Sequence, residues 1–123
     1  METTSTLASR KLTREDGRVV CEQLLVAAHP LRRMRGLLGR ASLPAGEGIL
    51  LRPAGSVHTF FMRFPIDVVF LDREQRVVGI EPALAPWRTA GRRGAKAVVE
   101  LAAGEAARRG LQVGERLSVA DAT

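Results

Sequence analysis

The chain is 123 residues long, with 46% hydrophobic residues, 26% charged residues and a formal net charge of +6. These values describe one ordinary globular domain and exclude a wholly disordered chain. The single cysteine, Cys21, excludes an intrachain disulfide framework and a cysteine-built zinc site, and no stretch approaches the ~18 apolar residues of a membrane-spanning helix.

Residues 1–14 read as an N-terminal arm, small and polar over 1–8, with a short strand at 9–13; residues 15–121 read as the globular domain. No charged stretch in 1–10 leads into an apolar run, so no signal peptide is expected and the expected location is cytoplasmic. Asp16-Gly17 signals a two-residue hairpin turn, because such turns need positive φ and Gly supplies it cheaply. The hairpin leads into a strand over 18–27, rich in Val and Leu.

The period then changes. Leu31, Met34, Leu37 and Leu38 make one helical stripe, with Pro30 suited to a first turn and Gly39 to the position past the end, which predicts a helix over 30–39. A loop over 43–48 precedes a short buried strand at 49–51, stopped by Pro53 and Gly55. Strands are expected at 57–63, 66–71 and 76–80, paired as an antiparallel meander with Phe64-Pro65 as the first turn, since Pro cannot donate to a ladder. Residues 82–94 read as a basic surface loop with Trp87 as its aromatic anchor. A strand at 95–101, a helix of one or two turns at 104–109 and a strand at 116–120 complete the chain. The expected fold class is α+β: a mainly antiparallel, strongly curled sheet or partly closed small barrel with two short helices.

Four of these segments resemble one known family. They are Arg35-Gly36-Leu37-Leu38-Gly39-Arg40; residues 43–51 with Pro44, Gly46 and Gly48; the run His58-Thr59-Phe60-Phe61-Met62-Arg63-Phe64-Pro65-Ile66-Asp67-Val68-Val69-Phe70-Leu71-Asp72; and Glu100-Leu101-Ala102-Ala103-Gly104, followed by residues 110–117. The chain resembles domain of unknown function 192, a set of small bacterial and archaeal proteins, over residues 18–119. The resemblance implies a compact, β-rich α+β fold and brings no assigned activity. Glu115 stands where the family's turn often carries Asp, and its longer side chain is expected to loosen a hydrogen bond to the turn.

The chemistry-bearing residues concentrate in the middle. If 57–63 is a strand, His58, Phe60 and Met62 share a face, and a two-residue turn at Phe64-Pro65 brings Asp67 onto that face. His58 and Asp67 would then lie about 13 Å apart along the strands, too far for a direct dyad. The expected site is a polar-lined pocket of His58, Met62 and Asp67, lidded by Trp87 and Arg88, for a small ligand or protein partner. The plainer alternatives are a structural histidine, an aspartate tying down a turn and a Trp capping the core. Thr59 would face the other way as a strand former. No cofactor, metal or catalytic residue is assigned, because Met62 and one His fall short of a metal site and no serine shows nucleophile spacing.

Two acid-free basic segments motivate a second reading as a nucleic-acid-binding protein: the helix at 30–39 and the loop at 86–96, contributing Arg32, Arg33, Arg35, Arg40, Arg92 and Arg93. The plainer account is coding bias, since all but two of the nineteen basic residues are Arg. A third reading is an enzyme with His58 as general acid or base, partnered by Asp67 or Glu100. A membrane is not an expected partner.

Overall fold

The computed structural model describes residues 10–27 and 41–121. The helix expected over 30–39, with Arg32, Arg33, Arg35 and Arg40, lies outside them. The described residues form strands β1 (Arg10–Thr13), β2 (Val19–Ala27), β3 (Glu47–Leu51), β4 (Ser56–His58), β5 (Ile66–Leu71), β6 (Val77–Leu84), β7 (Thr89–Gly91), β8 (Ala97–Ala102) and β9 (Ser118–Asp121), with one short helix, α1 (Glu105–Arg108), between β8 and β9. The described residues are therefore mostly β, with the helix expected over 104–109 as their one short helix.

Seven strands form one sheet in the order β6-β5-β8-β3-β2-β1-β9, antiparallel except for the parallel pair β2–β3. The sheet curls so far that its two ends meet. The Val77 amide donates to Glu115 O at 2.9 Å, the Gly114 amide to Val77 O at 2.8 Å and the Leu117 amide to Gln75 O at 2.9 Å, around an Arg76–Arg116 bridge. This stitching makes a partly closed barrel and protects an edge that would otherwise offer unpaired backbone groups.

The hairpin between β1 and β2 is present, but its turn is longer than expected. The Arg14 amide donates to Arg18 O at 2.8 Å, which leaves three residues in the loop, with Gly17 at φ 88°. That is the loop in which a type I turn is followed by a left-handed Gly. Glu115 also departs from expectation: Oε2 accepts from the Gln112 amide at 2.8 Å and Oε1 from Arg14 Nε at 2.9 Å, so the longer carboxylate keeps its turn bond and gains an ion pair.

Every residue of β5 is buried. Successive side chains point to opposite faces, and both faces are covered. Val69 and Leu71 join Leu24, Leu50, Val99 and Leu117 inside the barrel. Ile66, Val68 and Phe70 join Ile49, Leu51 and Val98 on the other face, which is roofed by Val57, Met62 and Phe64. Each fully buried large apolar side chain contributes about 1.5–3 kcal/mol of transfer free energy, so this double burial explains the unbroken apolar run from Val68 to Leu71.

The expected meander holds for β5 and β6, which pair antiparallel. It fails for the first strand. β4 ends at His58 and pairs with β7, as Val57 opposite Ala90 and His58 opposite Thr89, in a separate two-stranded sheet. Residues 59–64 hold a turn at 60–61 and a bend at 63–64, and the pattern there is not an alternation: Thr59, Met62 and Phe64 are buried while Phe60 and Phe61 face outward. The basic loop expected over 82–94 is likewise shorter, because β6 runs to Leu84 and β7 begins at Thr89.

Candidate functional site

The minor sheet carries two turns side by side. In the first, the Met62 amide donates to Thr59 O at 3.2 Å, with Phe61 at φ 67°. In the second, Pro86 precedes Trp87, which sits at φ 65°. A positive φ at a turn's third residue is ordinarily met by Gly or Asn. A bulky aromatic residue there is strained by about 1–3 kcal/mol and persists only where its surroundings hold it.

Thr59 does the holding. Its side chain is fully buried. Its hydroxyl donates to Ala85 O at 2.6 Å and accepts from the Arg88 amide at 2.9 Å. Its amide donates to Arg88 O at 2.8 Å, and its carbonyl accepts from the Trp87 amide at 2.9 Å. One residue thus locks both turns together, which corrects its reading as a plain strand former.

The locked turns display an array of rings. His58 stacks on Phe60 with centroids 4.8 Å apart and planes 27° apart; Phe60 stacks on Trp87 at 5.9 Å and 28°; Phe61 meets Trp87 edge-on at 4.6 Å. Phe61 is 63% exposed, Trp87 54% and Phe60 38%. His58 is half-buried, and its Nδ1 accepts the Phe60 amide at 3.3 Å. Arg88 is exposed beside Trp87, with Nη1 3.4 Å from Trp87 O.

Of the expected pocket residues, then, the fold brings His58, Trp87 and Arg88 into one neighbourhood and takes Met62 and Asp67 away. Met62 roofs the outer core at 6% exposure. Asp67 is 1% exposed and is occupied by main-chain donors: Oδ1 accepts from the Ala83 amide at 2.8 Å and the Gly104 amide at 3.0 Å, and Oδ2 from the Ala106 amide at 2.9 Å. Gly104 and Ala106 lie at the start of α1, where amides lack helical partners. Asp67 is therefore an anchor tying α1 and the end of β6 to β5, and the shared His58–Asp67 hollow does not form. The reason is the pairing of β4 with β7 instead of β5. Glu100, in β8, is also fully buried.

Phe60 and Phe61 are the residues that sequence reasoning undervalued. Their adjacency to His58, two residues before a buried Met, fits a strand as well as a turn. Only the pairing partner distinguishes the two.

Among the basic residues, Arg93 is exposed. Arg92 is not a free cation. It lies across Gly79 and over the Phe70 ring at 5.2 Å, with Nη2 3.4 Å from Glu81 Oε1 and Nη1 3.0 Å from Gly91 O. Its role is to cover the sheet, which removes it from the expected nucleic-acid set. Cys21 is buried, its thiol donating to Gln23 O at 3.2 Å, and burial pushes its pKa up to about 12, so it is no nucleophile.

A family model described as an uncharacterized ACR, domain of unknown function 192, matches residues 11–119, and the chain belongs to that family. No curated protein matches the sequence. Among solved structures, the chain is similar to a protein of unknown function from Novosphingobium aromaticivorans, with TM-score 0.75 and 24% identity over 89% of this chain and 83% of that one. It is similar to a "putative transcription regulator" from Sinorhizobium meliloti, with TM-score 0.76 and 22% identity over 91% and 95%. It also matches 25% of a longer "putative exported protein" from Burkholderia pseudomallei, with TM-score 0.53 and 17% identity over 92% of this chain. At such identities the likeness carries the fold alone. No helix of the described residues is long and apolar enough to cross a membrane.

Proposed function

Taking membership of this uncharacterized family as the premise, we propose that the chain is a noncatalytic binding module whose contact surface is the ring array of His58, Phe60, Trp87 and Phe61, flanked by Arg88. The observation that supports it is the combination of exposure and strain. Phe61 and Trp87 occupy backbone conformations that favour Gly, and both stand more than half exposed. Strain of about 1–3 kcal/mol per residue, held in place by a buried threonine, is the mark of a site and not of a core. Exposed aromatic rings gathered on one surface are also a recurrent feature of contact surfaces.

The enzyme reading loses support from the same geometry. An acid–base histidine needs an orienting partner, and among the described residues the side-chain hydrogen bond and the ring contact of His58 both go to Phe60. The test is a thermal-shift screen against metabolites, nucleotides, metal ions and peptides, run on the wild type and on Phe61→Ala. Stabilisation seen in the wild type and lost in the variant is the expected result. Hits that stabilise both proteins equally would place binding elsewhere and refute the reading.

A further inference from the structure

The ring array lies in an unusually one-signed part of the chain. Residues 52–66 and 85–96, which build the minor sheet and both turns, contain Arg52, Arg63, Arg88, Arg92, Arg93 and Lys96 and no acidic residue. The whole chain has nineteen basic and thirteen acidic residues. These two segments sum to +6, residues 30–40 add +4, and the rest of the chain sums to −4, so the ring-bearing segments are one of the two places where positive charge is concentrated. Arg92 is tied to the sheet, but Arg52, Arg63, Arg88, Arg93 and Lys96 are all exposed.

From this coincidence we infer that the platform binds single-stranded nucleic acid. Unpaired bases stack on the exposed faces of Trp87 and Phe61, and the phosphates are met by Arg88 and Arg63, the cations next to the two aromatic turns. The inference rests on the binding-module reading above and names its ligand class. Phe60 stacks against one face of Trp87, and Trp87 and Phe61 remain 54% and 63% exposed, which leaves aromatic surface that a base can stack on irrespective of sequence. A polyanion satisfies the unbalanced cations, and an apolar peptide would leave them unpaired. A lipid surface would also draw cations, but it favours aliphatic and aromatic side chains that project as wedges over rings stacked on one another and locked by Thr59.

Trp87 is the one tryptophan, so intrinsic fluorescence reports this surface alone. The experiment titrates the full chain with a fluorescein-labelled oligothymidylate of about twelve nucleotides, read by anisotropy, and with unlabelled oligonucleotide, read by Trp87 quenching. The expected result is binding with quenching. Two phosphate contacts, from Arg88 and Arg63, would weaken binding about 7-fold between roughly 50 and 200 mM salt. Trp87→Ala and, as a second variant should the first fold poorly, Phe61→Ala should each weaken anisotropy-detected binding about 5- to 150-fold. Oligonucleotide binding that is indifferent to both variants would put nucleic acid on another surface and overturn the inference. Absence of binding at low salt, with Trp87 still open to acrylamide in the free protein, would overturn the nucleic-acid assignment and leave the binding-module reading standing. A Trp87 shielded from acrylamide in the free protein would overturn both. A blue shift of Trp87 on vesicles of phosphatidylserine and phosphatidylcholine, without any response to oligonucleotide, would assign the surface to membranes and overturn the inference.

Discussion

Replacing Asp67 by Asn changes one atom and tests whether this residue is the keystone of α1 or part of a ligand site. The carboxylate accepts three main-chain amides in a site with 1% exposure. An asparagine can aim its single oxygen at the Ala83 and Gly104 amides, as Oδ1 does now. Its NH2 then faces the Ala106 amide, donor against donor. One hydrogen bond to a charged acceptor is lost, at about 1.5–3 kcal/mol, and a buried amide is left unsatisfied, at about 1–3 kcal/mol. Flipping the side chain breaks two bonds instead of one. The expected loss is about 3–5 kcal/mol, a large share of the stability of a domain this size. At about 4 °C per kcal/mol, Tm should fall by roughly 12–20 °C. The assay is urea unfolding of wild type and Asp67→Asn, with thermal melts alongside. A midpoint shift worth under about 1 kcal/mol would refute the anchoring argument.

Three further outcomes follow from the described contacts. Gly48→Ala places a Cβ 2.9 Å from Leu101 Cδ2, 3.0 Å from Cys21 Sγ and 3.1 Å from Glu100 O, at the second residue of β3. Because one obstacle is backbone, overpacking of about 1–3 kcal/mol is expected, and an unchanged urea midpoint would contradict it. Cys21, with its thiol pushed up to about 12, should react with iodoacetamide at about pH 8 only as fast as the protein opens; modification at the rate of a free thiol would contradict its burial. The hydrogen bonds from Arg108 hold the Glu105 carboxyl below its usual range, and those from Arg109 do the same for Glu22. A lowered folded value means stability that is complete above about pH 4.3 and lost as pH falls through the folded pKa values. The denaturation midpoint should therefore drop below about pH 4, and drop less in Glu105→Gln; parallel acid limbs in the two proteins would remove Glu105 from the account.

The local signals that proved legible are those whose cause is local. A turn needs positive φ, so Asp16-Gly17 marked the first hairpin. A strand buried on both faces needs an unbroken apolar run, so Val68–Leu71 marked the body of β5. Proline cannot sit in a ladder, so Pro65 marked the start of β5. The error at 57–63 has a nonlocal cause. The same residues satisfy a strand beside β5 or a short strand followed by a turn, and the choice depends on β7, some thirty residues later in the chain.

The order of residues alone therefore determined most strands of the large sheet, the β-rich class, the family and the concentration of unusual side chains around position 60, because propensity, turn chemistry and apolar periodicity act between near neighbours. Tertiary structure alone decided what those side chains do. Asp67 became an anchor because α1 brings its bare amides against β5. Arg92 became a cover because Gly79 leaves room for it. Phe60, Phe61 and Trp87 became one exposed surface because a single buried hydroxyl, on Thr59, ties together two turns that are distant in the chain. Hydrogen-bond partners and burial depend on which segments meet in space, and pairwise closeness along the chain carries little of that information.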